Sequence, residues 1–144
     1  RMETELYPAT YWLVGFFGVV MVSGVLTNGA VAFASYQDKG LRNACNILIA
    51  LASIADCLHL TGHITLIYAF ATGNLLTNSV TCVWIEFLPI IGQNSGCALI
   101  VSIAVDRLLA CFAPLWYERR HTCVYMCIQL AVVSLYVTYH FYNL

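Results

Sequence analysis

Charged side chains are scarce in this chain, and long stretches have none. Asp, Glu, Lys and Arg make up 9% of its residues, whereas a soluble domain carries about 25%. Hydrophobic residues make up 61%. No charge occurs within residues 6–37, 43–55, 57–85, 87–105 and 122–144. This distribution excludes an ordinary soluble domain and indicates a membrane protein.

Several motifs that carry chemistry are also missing. The chain has no Gly-rich phosphate loop, no Cys-x-x-Cys pair for zinc and no basic stripe for nucleic acid. Ser95 and Ser102 lie in an apolar stretch without a neighbouring histidine that could act as a base. We therefore expect a protein that is not an enzyme and that does not bind nucleic acid.

The apolar runs predict an all-α membrane protein with four transmembrane helices. A helix needs about 20 mostly apolar residues to cross the hydrocarbon. Such spans are predicted at about residues 11–36, 43–70, 80–112 and 122–143. The first run is too long for the apolar core of a cleaved signal, which has roughly 7–15 residues. The connections are short, so neighbouring helices are expected to be antiparallel.

The basic residues predict the orientation. Five of the six Lys and Arg residues lie after the first span or at and beyond the far end of the third, namely Lys39, Arg42, Arg107, Arg119 and Arg120. The segment at 71–81 has none. Short connections rich in Lys and Arg stay in the cytoplasm. We therefore expect a multi-pass plasma-membrane protein whose amino terminus is extracellular.

Two polar residues are predicted to lie deep in the membrane, Asn28 in the first span and Asp56 in the second. An ionised carboxylate there costs at least about 2.5–3.5 kcal/mol, so Asp56 must face other helices. Asn28 could donate to it and clasp the two helices together. Alternatively, Asp56 forms an ion-binding or switch site, and the two interpretations are compatible.

Two histidines, His59 and His63, share one helical face with Asp56. A His-x3-His pair can bind a metal ion in principle, but the sequence offers no third ligand that converges on them. We expect both histidines to face the bundle interior or a wet cavity in the outer half.

The third span carries a polar stripe. Glu86 and Gln93 are two helical turns apart, Asn94 follows, and Pro89 between them can kink the helix. This pattern favours a cavity open to the outside, whereas the simpler alternative places Glu86 at the level of the lipid headgroups. Farther along, Gly92 and Gly96 have the small-xxx-small spacing that allows close helix packing.

An acid and a base stand side by side at the far end of this span. Asp106-Arg107 follows a charge-free run and precedes Pro114-Leu115. Ionisable residues at the membrane edge are functional candidates.

In order and spacing, these residues resemble the rhodopsin-like (class A) G-protein-coupled receptors. The resemblance rests on motifs in all of the first three helices and the connection that follows: Asn28, Leu51-Ala52, Asp56, Cys82, Asp106-Arg107-Leu108, Leu109-Ala110, Pro114-Leu115 and Tyr117. Residues 54–59 and Gly62-His63 are similar to nematode serpentine chemoreceptors of the Srsx-like group. The resemblance covers the whole chain but only the first four of the family's seven helices. Together with the start at Arg1, it suggests an amino-terminal fragment.

The resemblance implies a role for residues near the cytoplasmic side. Arg107 would contact a heterotrimeric G protein in the active receptor and pair with Asp106 in the inactive one. Pro114 and Leu115 would belong to the G-protein docking loop. Asp56 would be an activation-linked acid that coordinates sodium, and no other cofactor is implied.

On the outer side, the resemblance implies a ligand pocket lined by Pro89, Ile90, Gln93 and Asn94. With Glu86, this stripe would suit polar or cationic ligands. Cys82 stands without an external partner in this chain, and an odd external cysteine suggests pairing elsewhere. The resemblance implies a disulfide with a later external loop.

Three features depart from the family pattern. Leu108 replaces the usual Tyr, Gly96 replaces a Ser that often helps to bind sodium, and the fourth span has no Trp. The competing interpretation is a free-standing four-span protein that packs with partners or conducts ions, or an inactive truncated receptor. Reading the coding sequence beyond Leu144 would discriminate between them.

Overall fold

The computed structural model describes residues 8–38, 40, 43–72 and 78–143. Within these ranges all regular structure is helical: α1 (Pro8–Gln37), α2 (Ala44–Leu60), α3 (Gly62–Thr72), α4 (Ser79–Phe112), α5 (Pro114–Arg119) and α6 (Thr122–Tyr142). Four segments are long and apolar enough to cross a membrane, at Tyr11–Gln37, Ala44–Phe70, Thr81–Phe112 and Thr122–Tyr142. The predicted all-α class with four spans is confirmed. Lys39 and Arg42, on which the orientation partly depends, lie outside the described residues.

The second span differs from its prediction because it is divided at Thr61. The Thr61 hydroxyl donates to the carbonyl oxygen of Leu58 at 2.6 Å, and its backbone N–H also donates to that oxygen at 3.2 Å. A hydroxyl that bonds to a helix carbonyl competes with the backbone ladder, and glycine at position 62 is a poor helix former. Thr61 keeps helical dihedral angles (φ −63°, ψ −25°). Helices α2 and α3 therefore form one span with a local break.

Helix boundaries follow from local sequence. Asn43 caps α2, because its side-chain oxygen accepts the backbone N–H of Asn46 at 2.9 Å. Helix α4 ends at Phe112, where Ala113 leaves the helical region (φ −135°, ψ 60°). Proline disfavours a helical conformation in the residue before it, and Pro114 then opens α5. The short helix α5 therefore begins directly at the end of α4.

Helix α2 lies at the centre and packs against α1 on one side and α4 on the other. A Cβ atom on Gly92 would lie 2.5 Å from the backbone nitrogen of His59 and 2.7 Å from the carbonyl oxygen of Ala55. No side chain fits there. The two backbones therefore touch at Gly92, as the small-xxx-small spacing predicts.

The buried core is small and joins α2, α4 and α6. Its buried members are Ala44, Leu48, Ala52, Ala55, Leu99, Tyr125, Met126 and Val133. Helix α1 exposes most of its large apolar side chains, among them Trp12 at 81% and Phe16 at 63%. An apolar helix surface of this extent is stable only against lipid or further helices.

Candidate functional site

The first candidate site surrounds Asp106, which is completely buried at the end of α4. Its carboxylate forms an ion pair with Arg120, with 3.1 Å between Oδ1 and Nη2. The hydroxyl of Tyr117 lies 2.9 Å from Oδ2 and 3.1 Å from Oδ1, so it donates to the same carboxylate. We call Asp106, Tyr117 and Arg120 the Asp106 cluster. It connects the end of α4 to α5 and to the start of α6.

Two aromatic rings enclose the arginine of the Asp106 cluster. The central guanidinium carbon of Arg120 lies 3.4 Å from the ring centroid of Tyr117 and 3.8 Å from that of Tyr125. Cation–π contacts of this kind stabilise by about 0.5–2 kcal/mol, more when water is excluded. The Arg120 side chain is only 6% exposed. The rings therefore hold the guanidinium in place while one edge of it pairs with Asp106.

The state of Tyr117 follows from its surroundings. Burial raises the pKa of the Tyr117 phenol above its ordinary value of 10.0, and the hydrogen bond to Asp106 raises it further. Arg120 opposes this shift. Tyr117 therefore stays protonated at neutral pH and acts as a donor to the carboxylate.

The predicted pairing of Asp106 with Arg107 is wrong in this structure, because Asp106 pairs with Arg120 instead. Successive helix residues point roughly 100° apart. Asp106 shares the buried face of α4 with Leu99 and Ser102, which are each 4% exposed. Arg107 is exposed. Its predicted contact with a G protein is unaffected by this correction.

The predicted docking residues Pro114 and Leu115 form the start of α5. Both are exposed, Leu115 at 74%, and the adjacent Trp116 is exposed at 54%. Because Tyr117 follows directly, this apolar surface is attached to the Asp106 cluster by one helical turn. A change in the cluster would therefore move the surface.

The second candidate site is a cavity of about 270 Å³ between α2, α3 and α4. Four of the five predicted pocket residues line it, namely Glu86, Pro89, Ile90 and Gln93, together with His59, Gly62, His63 and Leu66. Asn94 is the exception. Its amide donates to the carbonyl oxygen of Ile90 in its own helix at 3.0 Å, and it does not line the cavity.

Polar groups of this cavity come from all three helices. The Glu86 carboxylate lies 2.9 Å from the Thr65 hydroxyl, which donates either to it or to the Gly62 carbonyl. The Nδ1 atom of His59 is buried and has no hydrogen-bond partner among the described residues. The His63 ring packs against Phe17 of α1, with 5.3 Å between ring centroids. The cavity therefore offers a carboxylate and imidazole nitrogens to a small ligand.

The break in the second span faces the proline of the third. A Cβ atom on Gly62 would lie 3.0 Å from Cβ of Pro89 and 3.3 Å from Oε2 of Glu86. Gly62 thus lets both residues approach α3 closely. Gly62 and Pro89, which both weaken a regular helix, therefore meet at the wall of the cavity.

The predicted clasp between Asn28 and Asp56 is not formed. Both side chains are half-buried, and the hydrogen bonds of the described residues include none between them. The Cys57 thiol of α2 instead donates to the Val25 carbonyl of α1, at 4.0 Å. Asp56 faces α4, where a Cβ atom on Gly96 would lie 3.2 Å from its Oδ1. The one-residue offset between Asp56 and Cys57 turns the acid away from α1.

The predicted metal and disulfide roles remain predictions. Among the described residues, no group of three His, Cys, Asp or Glu side chains is arranged to hold a metal ion. Gly96 supplies no side-chain oxygen beside Asp56, so the sodium site would need other ligands. Cys82 is an exposed free thiol in this structure, and its predicted partner lies outside the chain.

Comparison with known proteins agrees with these features. Residues 21–143 match the family model described as "serpentine type 7TM GPCR chemoreceptor Srsx". Succinate receptor 1 of Rattus norvegicus is 27% identical over 99 residues, which cover 69% of this chain and 31% of that receptor. The chain thus spans about a third of the length of this curated relative. It is a multi-pass membrane protein, and it belongs to the Srsx family of serpentine seven-transmembrane chemoreceptors.

Proposed function

We propose that this chain is the amino-terminal part of a receptor that binds an extracellular ligand and, in its full-length form, activates a heterotrimeric G protein. The amino terminus would face the outside of the plasma membrane, as the positions of the Lys and Arg residues predict. The observation that carries the proposal is the buried Asp106 cluster, which lies at the predicted cytoplasmic end of α4 beside the exposed surface of α5.

The Asp106 cluster would act as a latch. It holds α5 and the start of α6 against α4 through one ion pair and one tyrosine hydroxyl. Breaking the Asp106 cluster would release the exposed surface of α5. Arg107, which is already exposed, would then lie beside a rearranged connection between α4 and α6. A ligand that binds better to the released arrangement would shift the population toward it.

The ligand would occupy the cavity beside Glu86. Its volume of about 270 Å³ is close to the lower end of the roughly 300–1,000 Å³ typical of ligand pockets. The carboxylate of Glu86 and the nitrogens of His59 and His63 favour a polar or cationic compound. Glu86 and Asp106 are 20 residues apart on one helix, which corresponds to about 30 Å. Helix α4 therefore connects the ligand cavity to the latch.

The test of G-protein coupling is Arg107→Ala in the full-length receptor. We expect this variant to reach the cell surface normally, because Arg107 is exposed, but to lose receptor-stimulated nucleotide exchange. Lys39→Ala, in the other basic connector, is the matched control and should keep most of the exchange. Unchanged exchange in Arg107→Ala would reject the proposed role.

The competing proposal, a free-standing four-span protein, has less support. A free-standing four-span protein has no evident use for the Asp106 cluster beside the exposed surface of α5. The family match also favours a receptor. Three further apolar spans in the coding sequence beyond Leu144 would support the receptor.

A further inference from the structure

A third cavity, of about 250 Å³, lies where α5 meets α6. Three of its lining residues carry a guanidinium or imidazole side chain, namely Arg119, Arg120 and His121. The others are aromatic or aliphatic, among them Trp116 and Val124. Arg119 and His121 belong neither to the Asp106 cluster nor to the ligand cavity.

The start of α6 is a favourable place for an anion. The first backbone N–H groups of a helix lack partners within the helix, and the helix dipole adds a partial positive charge there. His121 occupies the capping position of this 21-residue helix, but its side chain makes no capping hydrogen bond. The N-terminal donors of α6 are therefore open to an external acceptor.

Arg120 provides an independent indication of an anion. Its side chain is 6% exposed, and only Nη2 is used by Asp106. Nη1 is buried and has no hydrogen-bond partner among the described residues. A buried guanidinium nitrogen without an acceptor is costly. Because Arg120 lines the cavity, an anion seated there could accept from it.

An apolar groove lies next to this cavity, and it indicates which kind of anion would bind there. The groove has a volume of about 440 Å³ and runs between α4 and α6, lined by residues that include Val101, Val105 and Val132. Ile128 lines both the groove and the basic cavity. A cationic cavity beside a mostly apolar groove at the membrane edge matches a phosphate headgroup and its acyl chain. A soluble phosphate would use only the first part.

We propose that the α5–α6 junction binds an anionic phospholipid. The phosphate would lie against Arg119, Arg120 and the N-terminus of α6, and one acyl chain would occupy the groove between α4 and α6. The choice of the anionic cytosolic leaflet rests on the orientation in the proposed function. Since Nη2 of Arg120 stays on Asp106, the lipid would stabilise the Asp106 cluster in its closed arrangement.

Lipid binding can be measured without any signalling assay. The full-length receptor is placed in nanodiscs of phosphatidylcholine with or without phosphatidylserine, and retained lipids are counted by native mass spectrometry. We expect selective retention of phosphatidylserine, reduced roughly fivefold by Arg119→Gln, as for one cationic side chain near an anionic surface. Arg42→Gln, in the other basic connector, is the control and should change retention little. Retention that falls equally in both variants would show general surface electrostatics and overturn the site.

A second variant tests the groove and the source of the phosphate. Val132→Trp fills the groove without touching the basic cavity, and it should reduce phosphatidylserine retention severalfold. Inorganic phosphate, added at increasing concentration, should compete poorly. Full competition by phosphate would overturn a lipid in favour of a soluble anion, and unchanged phosphatidylserine retention in Val132→Trp would overturn the groove as the site of the acyl chain. Because no G protein is present, these outcomes are independent of whether Arg107→Ala loses nucleotide exchange.

Discussion

Replacing Asp106 by asparagine tests the latch most directly. The substitution keeps the size of the side chain but removes the charge that Arg120 faces at 3.1 Å. Removing one partner of a buried ion pair costs about 3–5 kcal/mol. The Tyr117 and Tyr125 rings still hold the guanidinium, and the introduced amide oxygen can still accept from Tyr117. We therefore take the lower end, about 3 kcal/mol, which corresponds to roughly a hundredfold change in the latch equilibrium.

The assay is ligand-independent nucleotide exchange on a heterotrimeric G protein, measured with the full-length receptor and normalised to surface expression. Asp106→Asn should raise basal exchange strongly. Tyr117→Phe removes one hydrogen bond to a charged group, about 1.5–3 kcal/mol, and should raise it less. The control is Glu118→Gln, which neutralises an exposed carboxylate one residue from Tyr117.

The two variants together decide whether Asp106 forms a latch. If Asp106→Asn folds poorly, Tyr117→Phe still reports on the latch, because the ring and its contact with Arg120 are retained. Basal exchange at the wild-type level in both variants, with normal surface expression, would refute a latch built on Asp106.

Three further predictions concern packing, the ligand cavity and pH. Gly92→Ala should lower the thermal unfolding temperature of the full-length receptor, because overpacking destabilises the fold by about 1–3 kcal/mol. Gly15→Ala is the control: a Cβ atom there meets nothing within 4 Å, so the unfolding temperature should stay unchanged or rise. Glu86→Gln should weaken the calcium or cAMP response to cationic activators found by screening. Asn94→Ala should leave this response unchanged, because Glu86 lines the cavity and Asn94 does not. The raised pKa of Tyr117 means that its stabilisation is complete below the ordinary tyrosine pKa of 10.0 and is lost as the pH rises through the folded value. The difference in melting temperature between wild type and Tyr117→Phe should thus be constant at neutral pH and shrink above about pH 10; a difference that fades already near pH 7 would contradict the assignment.

The four membrane spans could be predicted from sequence because they depend on one-dimensional patterns. Charge-free runs set the four spans, and the polar stripe of Glu86, Pro89 and Gln93 has a helical period that favours a cavity. Ile90 was added to this cavity by the family resemblance. The break at Thr61 was missed. Its signal, a hydroxyl residue followed by glycine in an apolar helix, is present in the sequence, but hydropathy does not register it.

The partner of Asp106 could not be predicted because it depends on three-dimensional packing. Arg107 is adjacent in sequence, yet successive helix positions do not face each other. Arg120 reaches Asp106 only because Pro114 ends α4 and α5 folds the chain back over its end. The same reasoning explains Asn28, whose predicted partner Asp56 faces α4. In both cases the identity of the acid was predicted and the direction of its side chain was not.

The contacts along α4 also restrict how a ligand signal could travel. Gly92 brings the α4 backbone against the α2 backbone without an intervening side chain, so sliding of α4 past α2 would force a direct clash. Above this contact, α3 is joined to α2 only through the break at Thr61. Below it, α5 is held by the Asp106 cluster. Under the proposed function, a ligand beside Glu86 would act by tilting α3 and turning α4 about Gly92, and a rotation of α4 that carries Asp106 away from Arg120 would open the latch.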